Sequence, residues 1–250
     1  MSEDNTKFQN QAKHNQGEKY LSSLYSDKRR PITDYPDKLA HHIVFELLNK
    51  NSGRLLDVGC GRGDLLKSFE KLNFDVVGVD ISDEAKAMCE PIKVYKENLE
   101  EGIKNFNSNE FDIVFSKSLI EHLKDPLNFL KSCKQLVKED GSVIIMTPSW
   151  IHHNFGPFYL DHTHFTPFTL QSLRDIGYLA GFKEVKVKYF YQLPLLWKFK
   201  PAIILSKIIS FFKLPYMPMY EQLTFIKWPM SINKFIKFSR EVMLYAEMKK

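Results

Sequence analysis

Cysteine is scarce in this chain of 250 residues, which has three: Cys60, Cys89 and Cys133. They are too few and too scattered for a disulfide framework or a zinc site, so a reducing cytosol is the expected compartment. Long apolar runs are missing as well. No stretch of about 18 apolar residues occurs, so no membrane-spanning helix is expected. The opening residues, MSEDNTKFQNQAKHNQGEKY, are polar and lack the apolar segment of a secretory signal. Acidic residues are almost absent from one region. Residues 192–240 hold eight Lys and Arg against Glu221 alone, so this segment carries +7 in a chain of formal net charge +5. The remainder is therefore slightly acidic, and the basic excess says nothing about the core. No internal repeat and no low-complexity segment occurs.

What is present points to one α/β domain with decorations, long enough to bury a full core without cross-links. Residues 1–19 read as a disordered tail, within a flexible N-terminal segment and cap spanning 1–35. Pro36, the helical spacing of Leu39, Ile43 and Leu47, and Gly53 predict a helix over 36–53. Strand patterns then recur at 54–59, 75–80, 92–96, 111–116 and 142–147, with helical patterns at 63–72, 82–89 and 126–138. A further helix within 166–182 has Thr169 as its candidate cap. The segments at 183–191 and 240–250 read as a sixth and a seventh strand. Strands alternating with helices at this spacing predict a parallel sheet covered on both faces.

The stretch LLDVGCGRGDLL, residues 55–66, places Gly59, Gly61 and Gly63 between a strand and a helix. Such a turn brings bare backbone N–H groups and a helix N-terminus against a ligand. A dinucleotide fingerprint needs its third glycine where this chain has Asp64, and Asp57 within the turn would repel a pyrophosphate. A carboxylate at Asp57 suits a cationic group such as an amine. Asp80 ends the second strand, 21 residues after Gly59, where a carboxylate accepts from two ribose hydroxyls. A nucleoside carrying an amino group and no pyrophosphate fits both acids, as S-adenosylmethionine does.

At these residues the chain resembles the class I S-adenosylmethionine-dependent methyltransferases, from about Arg54 to Phe182. LLDVGCGRGDLL and VVGVDIS match the first two motifs of that family, FDIVFSKSLIEHL and GSVIIMTP follow at its spacing, and Val242–Lys249 resembles its closing strand. The resemblance implies a Rossmann-like, seven-stranded, mostly parallel sheet with an antiparallel last strand and helices on both faces. It implies a methyltransferase core at 36–191 plus 241–250, with 192–240 as a basic, aromatic-rich insertion. It implies S-adenosyl-L-methionine as cofactor: Gly59 and Gly61 under the methionyl part, Asp57 toward its amino group, Asp80 on the ribose and Ile81 against adenine. Asn98 stands where the family usually has an Asp that accepts from the adenine amine, with Leu99 beside it. Ser116 would lie near the sulfonium.

Methyl transfer to a hydroxyl benefits from a general base. One candidate is Glu121-His122. Some ubiquinone-pathway O-methyltransferases carry a Glu-x-x-Glu-His array here that can hold a divalent metal, whereas this chain reads KSLIEHL, with no acid ahead of Glu121. The other is HHNFGPFYLDHTHF, which offers His152, His153, Asp161, His162 and His164. Similar methyltransferases carry a DxTH here without metal, so no metal is expected. His122, His162 and His164 are the catalytic candidates; the alternatives are a structural turn at Glu121-His122 and histidines that tie the loop to the next helix.

Within 192–240, KPAIILSKIISFFKLP plotted at about 100° per residue gathers Ile204, Leu205, Ile208, Ile209, Phe211 and Phe212 on one arc, with Ser206, Lys207, Ser210 and Lys213 opposite. Such a helix either lies on an anionic membrane surface or is a lid with its apolar face packed on the domain. The basic residues sit among bulky aliphatics with no Arg-rich strip, so nucleic acid is not an expected partner. The leading expectation is a cytoplasmic methyltransferase, with a peripheral site on the inner membrane surface as an option. It would act on a small-molecule, saccharide or lipid-linked acceptor by O-methylation. A non-catalytic binding or scaffold protein that keeps the fold is the alternative. A dehydrogenase is disfavoured by the glycine spacing.

Overall fold

The computed structural model describes residues 21, 31–153, 158–199, 201–212, 214–216 and 229–250. The expected tail at 1–19 and the segment joining it to residue 30 lie outside the described residues, apart from Leu21.

Seven strands form one sheet in the order β3-β2-β1-β4-β5-β7-β6. They are β1 (Gly53–Val58), β2 (Phe74–Asp80), β3 (Val94–Lys96), β4 (Phe111–Lys117), β5 (Val137–Pro148), β6 (Glu184–Phe190) and β7 (Met243–Lys249). β1 pairs in parallel with β2 and β4, and β2 with β3. β7 runs antiparallel to both β5 and β6. This is the Rossmann-like arrangement expected from the sequence.

Composition explains the layout. In β1 and β4 the residues are buried with little alternation, as strands covered on both faces require. β6 lies at the end of the order, and Glu184, Lys186 and Lys188 alternate with more buried neighbours. Charges on such an edge oppose pairing with another chain.

The contacts divide the chain into two compact units. The first holds the described residues up to Ser116 together with Gln135–Ser142. Its helices are α1 (Tyr35–His41), α2 (Asp64–Lys71) and α3 (Asp83–Cys89). The helix expected over 36–53 is shorter than its pattern. α1 passes into a π-helical turn at His42–Leu47, Leu48 N–H closes on Ile43 O, and Asn49 turns left-handed with φ 51°. The chain thus unwinds before Gly53 and enters β1 there.

The second unit holds Lys117–Lys134 and Val143–Lys250. α4 (Pro126–Leu136) begins in it, and α5 (Trp150–His153), α6 (Leu170–Leu179), α7 (Pro194–Lys198), α8 (Pro201–Phe212) and α9 (Met230–Arg240) belong to it. Thr169 caps α6 as expected. Its hydroxyl accepts from Ser172 N–H while the Ser172 hydroxyl accepts from Thr169 N–H, a reciprocal capping box.

α8 is the helix on which the lid and membrane expectations differ. Ser206 and Ser210, one turn apart, are the buried face. Ile204, Leu205, Ile208, Phe211 and Phe212 are exposed, with Phe211 79% and Ile208 48% accessible. Two serines on one face admit a close approach that bulky side chains would prevent, so the small polar face turns inward and the apolar arc outward. Beyond α8, Arg240 on α9 donates to Leu214 O at 2.8 Å and lies over the Tyr216 ring, while Tyr216 OH donates to Glu241 Oε1 at 2.7 Å.

Candidate functional site

Two groups of sequence-expected site residues assemble, one in each unit. The first is the glycine loop after β1. Gly59 and Cys60 both donate to Val79 O, at 2.8 and 3.1 Å, which folds the loop over the end of β2. Gly61 N–H donates to Asp80 Oδ2 and Ser82 N–H to Asp80 Oδ1, each at 2.9 Å. The Asp80 carboxylate is thereby held by both of its oxygens. Burial raises its pKa, and the backbone N–H groups of Ser82, Gly61 and Ile81 oppose that rise.

The three alternate glycines do different work. Gly61 is left-handed (φ 53°), and among the described residues a Cβ there would meet only Leu21 Cδ2, at 3.7 Å, so its backbone is left bare toward them. Gly63 is also left-handed (φ 75°) and caps α2, but a Cβ on it would lie 2.4 Å from Cys89 Sγ. Gly63 therefore lets α2 and α3 approach, which is packing rather than ligand contact.

Ile81, next to Asp80, is 53% exposed, as a residue that covers a planar ring must be. Asp57 and Leu99 are buried. Asn98 caps the turn at Leu99–Glu101: its side-chain oxygen accepts from Glu100 N–H at 3.2 Å and its amide donates to Glu101 at 3.1 Å. The oxygen expected to meet an adenine amine thus already has one partner. Ser116 is buried and its hydroxyl donates to Val58 O at 2.9 Å, fixing β4 to β1. A bare loop, a fixed carboxylate and an exposed aliphatic fit an adenosine carrying a methionyl tail.

The second group joins the 117–123 turn to the 161–166 loop. Glu121 O accepts from Phe165 N–H at 2.8 Å and Thr166 N–H at 3.0 Å, so the two segments are laced through the main chain. His122 Nδ1 lies 2.8 Å from Thr163 Oγ1, which lies 2.5 Å from Asp161 Oδ1. His164 Nδ1 donates to Phe158 O at 2.6 Å, and the His122 and His164 rings meet edge-on with centroids 4.5 Å apart. His162 is exposed on the turn between them. His152 and His153 serve the start of α5, bonding Ser149 Oγ at 2.9 Å and Ser149 O at 3.0 Å. The structure thus brings His122 and His164 together and leaves His162 apart.

Glu121 and Asp161, which belong to the two candidate stretches of the sequence but were not among its catalytic candidates, complete this group together with Thr163. Glu121 is fully buried. Its Oε2 accepts from Thr147 at 2.8 Å and its Oε1 has no hydrogen-bond partner among the described residues. Burial pushes its carboxyl up to about 7. Burial and the neighbouring His164 push His122 down to about 4, so its imidazole is neutral at ordinary pH. The signal for Glu121 was its place beside His122 in KSLIEHL, as a charged residue inside an apolar run. Glu121, His122 and His164 each bring a donor atom within 4.8 Å of the others, a spacing that a shared proton or a cation can use.

A family profile described as a methyltransferase domain matches residues 29–187. A ubiquinone biosynthesis O-methyltransferase from Actinobacillus pleuropneumoniae is 32% identical over 111 residues, covering 38% of this chain and 45% of the relative. One from Paraburkholderia phymatum is 34% identical over 101 residues, covering 38% and 44%. The chain thus spans less than half the length of these curated relatives. The crystal structure of a SAM-dependent methyltransferase from Archaeoglobus fulgidus shares the fold, with a TM-score of 0.60 and 22% identity over 90% of this chain and 98% of that one.

Proposed function

The chain belongs to the methyltransferase-domain family, and from that premise we propose that it transfers a methyl group from S-adenosylmethionine to an oxygen of a small-molecule acceptor. The observation that carries the reading is Asp80: a half-buried carboxylate fixed by the N–H groups of Gly61 and Ser82, beside a bare glycine loop and the exposed Ile81. When bound, S-adenosylmethionine supplies a methyl carbon activated by a sulfonium. Asp80 would hold the ribose hydroxyls, Ile81 would cover adenine, Gly59 and Gly61 would pass under the methionyl part, and Asp57 would face its amino group. Asn98, Leu99 and Ser116 would complete the wall. The choice of oxygen is supported by the relatives named as O-methyltransferases and by the neutral His122. His162, the third histidine named from the sequence, lies exposed on the turn and serves as the comparison for His122.

Calorimetry with S-adenosylhomocysteine tests the cofactor site. Hydrogen bonds to a charged group are worth roughly 1.5–3 kcal/mol each, so Asp80→Ala should bind at least about tenfold more weakly with the fold intact. Unchanged affinity would sink the assignment. Incubation of cell extract with labelled methyl donor should give a product heavier by one methyl group. Binding without any such product would favour the scaffold reading.

The same reading extends to a peripheral membrane contact by residues 192–240, for which a lipid-linked acceptor would be the reason. The outward apolar arc of α8 and the +7 charge of the segment support it. No helix of the described residues is long and apolar enough to cross a membrane. Each lysine near an anionic surface contributes about 1 kcal/mol, and screening acts over about 10 Å at 0.1 M salt. Vesicles with anionic lipid should therefore carry the protein upward in a flotation gradient at low salt and release it at high salt. No flotation at low salt would remove the contact and leave a soluble acceptor.

A further inference from the structure

We propose that Asp161 and Thr163 are positioning residues that hold His122 in the one tautomer able to take a proton at Nε2. The proposal deepens the reading of the chain as an O-methyltransferase and rests on it for the identity of the reaction. Its geometric part stands on hydrogen bonds alone.

Thr163 has one hydroxyl hydrogen and two partners, Asp161 Oδ1 at 2.5 Å and His122 Nδ1 at 2.8 Å. A carboxylate only accepts. Burial works to raise the Asp161 pKa, but the Thr163 hydroxyl and the Thr163 N–H, at 3.0 Å, hold it below the usual carboxylate range. The Thr163 hydrogen therefore goes to Asp161, and Oγ1 is left to accept. The hydrogen between Thr163 and His122 must then come from Nδ1–H. A neutral ring protonated at Nδ1 carries its lone pair at Nε2. His164 meets the same condition by another route, because Phe158 O, 2.6 Å from its Nδ1, can only accept.

The rest of the loop keeps this order in place. Glu121 O takes the N–H groups of Phe165 and Thr166, so the segment bearing Asp161 and Thr163 is tied to the turn bearing His122. A carboxylate, a hydroxyl and an imidazole in line are the arrangement by which a third group orients a base. In the transfer the acceptor oxygen bonds to the methyl carbon as the carbon–sulfur bond breaks, the electron pair staying on sulfur. The acceptor proton moves to His122 Nε2. The charge so formed on the ring is stabilised through Nδ1–H, Thr163 and the Asp161 carboxylate, and the proton then leaves to water.

The test uses the full chain and two variants, Thr163→Val, which keeps the shape without the hydroxyl, and Thr163→Ser, which keeps the hydroxyl. Nitrogen NMR of His122 reads the tautomer directly and needs no turnover. Parent and Thr163→Ser should show Nδ1–H, and Thr163→Val should shift toward Nε2–H at an unchanged melting temperature. Turnover number should fall in Thr163→Val, by up to the roughly 10²–10⁴-fold that a general base supplies, with KM and S-adenosylhomocysteine affinity kept, and recover in Thr163→Ser. A parent His122 in the Nε2–H form, or a tautomer unmoved in Thr163→Val, would overturn the proposal. So would turnover lost to a chelator and restored by a divalent ion, which would give His122 to a metal. A moved tautomer with unchanged turnover overturns the positioning role and leaves the methyltransferase reading standing. A parent that makes no methylated product removes that reading while the tautomer result still decides the geometry.

Discussion

In the glycine loop, Asp80 finds its partner Gly61 only 19 residues away and Ser82 two residues away. At the histidine cluster, His122 takes Thr163 from 41 residues away. The first site is fixed by strand ends that local sequence already sets: β1 stops, the loop folds on β2, and an acid sits where β2 ends. The second depends on two turns being laced together through Glu121 O, which no local pattern announces. Sites at strand ends are therefore readable one segment at a time, whereas a site made between loops is readable only after folding.

The largest effect expected of this contrast is catalytic. His122→Ala should lower turnover by roughly 10²–10⁴-fold with S-adenosylhomocysteine affinity unchanged, while the exposed His162→Ala should leave both near the parent value. Equal losses for the two would erase the distinction drawn between them. Steady-state kinetics beside calorimetry reads both quantities.

Next is the packing glycine. Gly63→Ala puts a side chain at φ 75° and within 2.4 Å of Cys89 Sγ. A left-handed backbone costs roughly 1–2 kcal/mol and overpacking roughly 1–3 kcal/mol. A loss of about 2–5 kcal/mol in urea unfolding should follow, against about 1–2 kcal/mol for Gly61→Ala, which shares the left-handed backbone but whose Cβ meets no close neighbour among the described residues. Equal losses would show that Gly61 is also a packing glycine.

Glu121 sharpens the comparison through pH. Its folded pKa, about 7, lies above the ordinary 4.5 because burial favours the neutral acid. Its contribution is fully present below pH 4.5 and is lost as pH rises through about 7. At about 1.4 kcal/mol per unit, Glu121→Gln should remove up to about 3 kcal/mol of stability change across that window. Unfolding curves at several pH values check it, and an unaltered slope would mean that Glu121 is not the group responsible.

The smallest effect concerns α8. Ile208→Asp on its outward face should change the melting free energy by no more than about 0.5 kcal/mol, while weakening flotation with anionic vesicles. A large loss of stability would restore the lid expectation.

Most of the fold was legible because apolar runs and capping residues act locally. The strands appear where Val, Ile and Phe cluster, and Thr169 caps α6 because its hydroxyl needs only Ser172. The glycine loop and the acid at the end of β2 were legible for the same reason, whereas the cap that Asn98 makes with Glu100 N–H was not. The orientation of α8 was not legible. Periodicity shows that two faces differ but not which one turns inward, and there the small serines won. The Asp-His-x-His run drew the eye to His162, yet alternation around the turn at 161–164 sends His162 outward and gives Thr163 to His122.

The three cysteines are all free and all buried. Buried structural thiols are poorly reactive, so the native protein is close to silent toward maleimide reagents. A single cysteine introduced at the exposed Phe211 would then be the one thiol that takes a fluorophore. α8 could be labelled without first removing any native sulfur, and Cys89 would stay where Gly63 makes room for it.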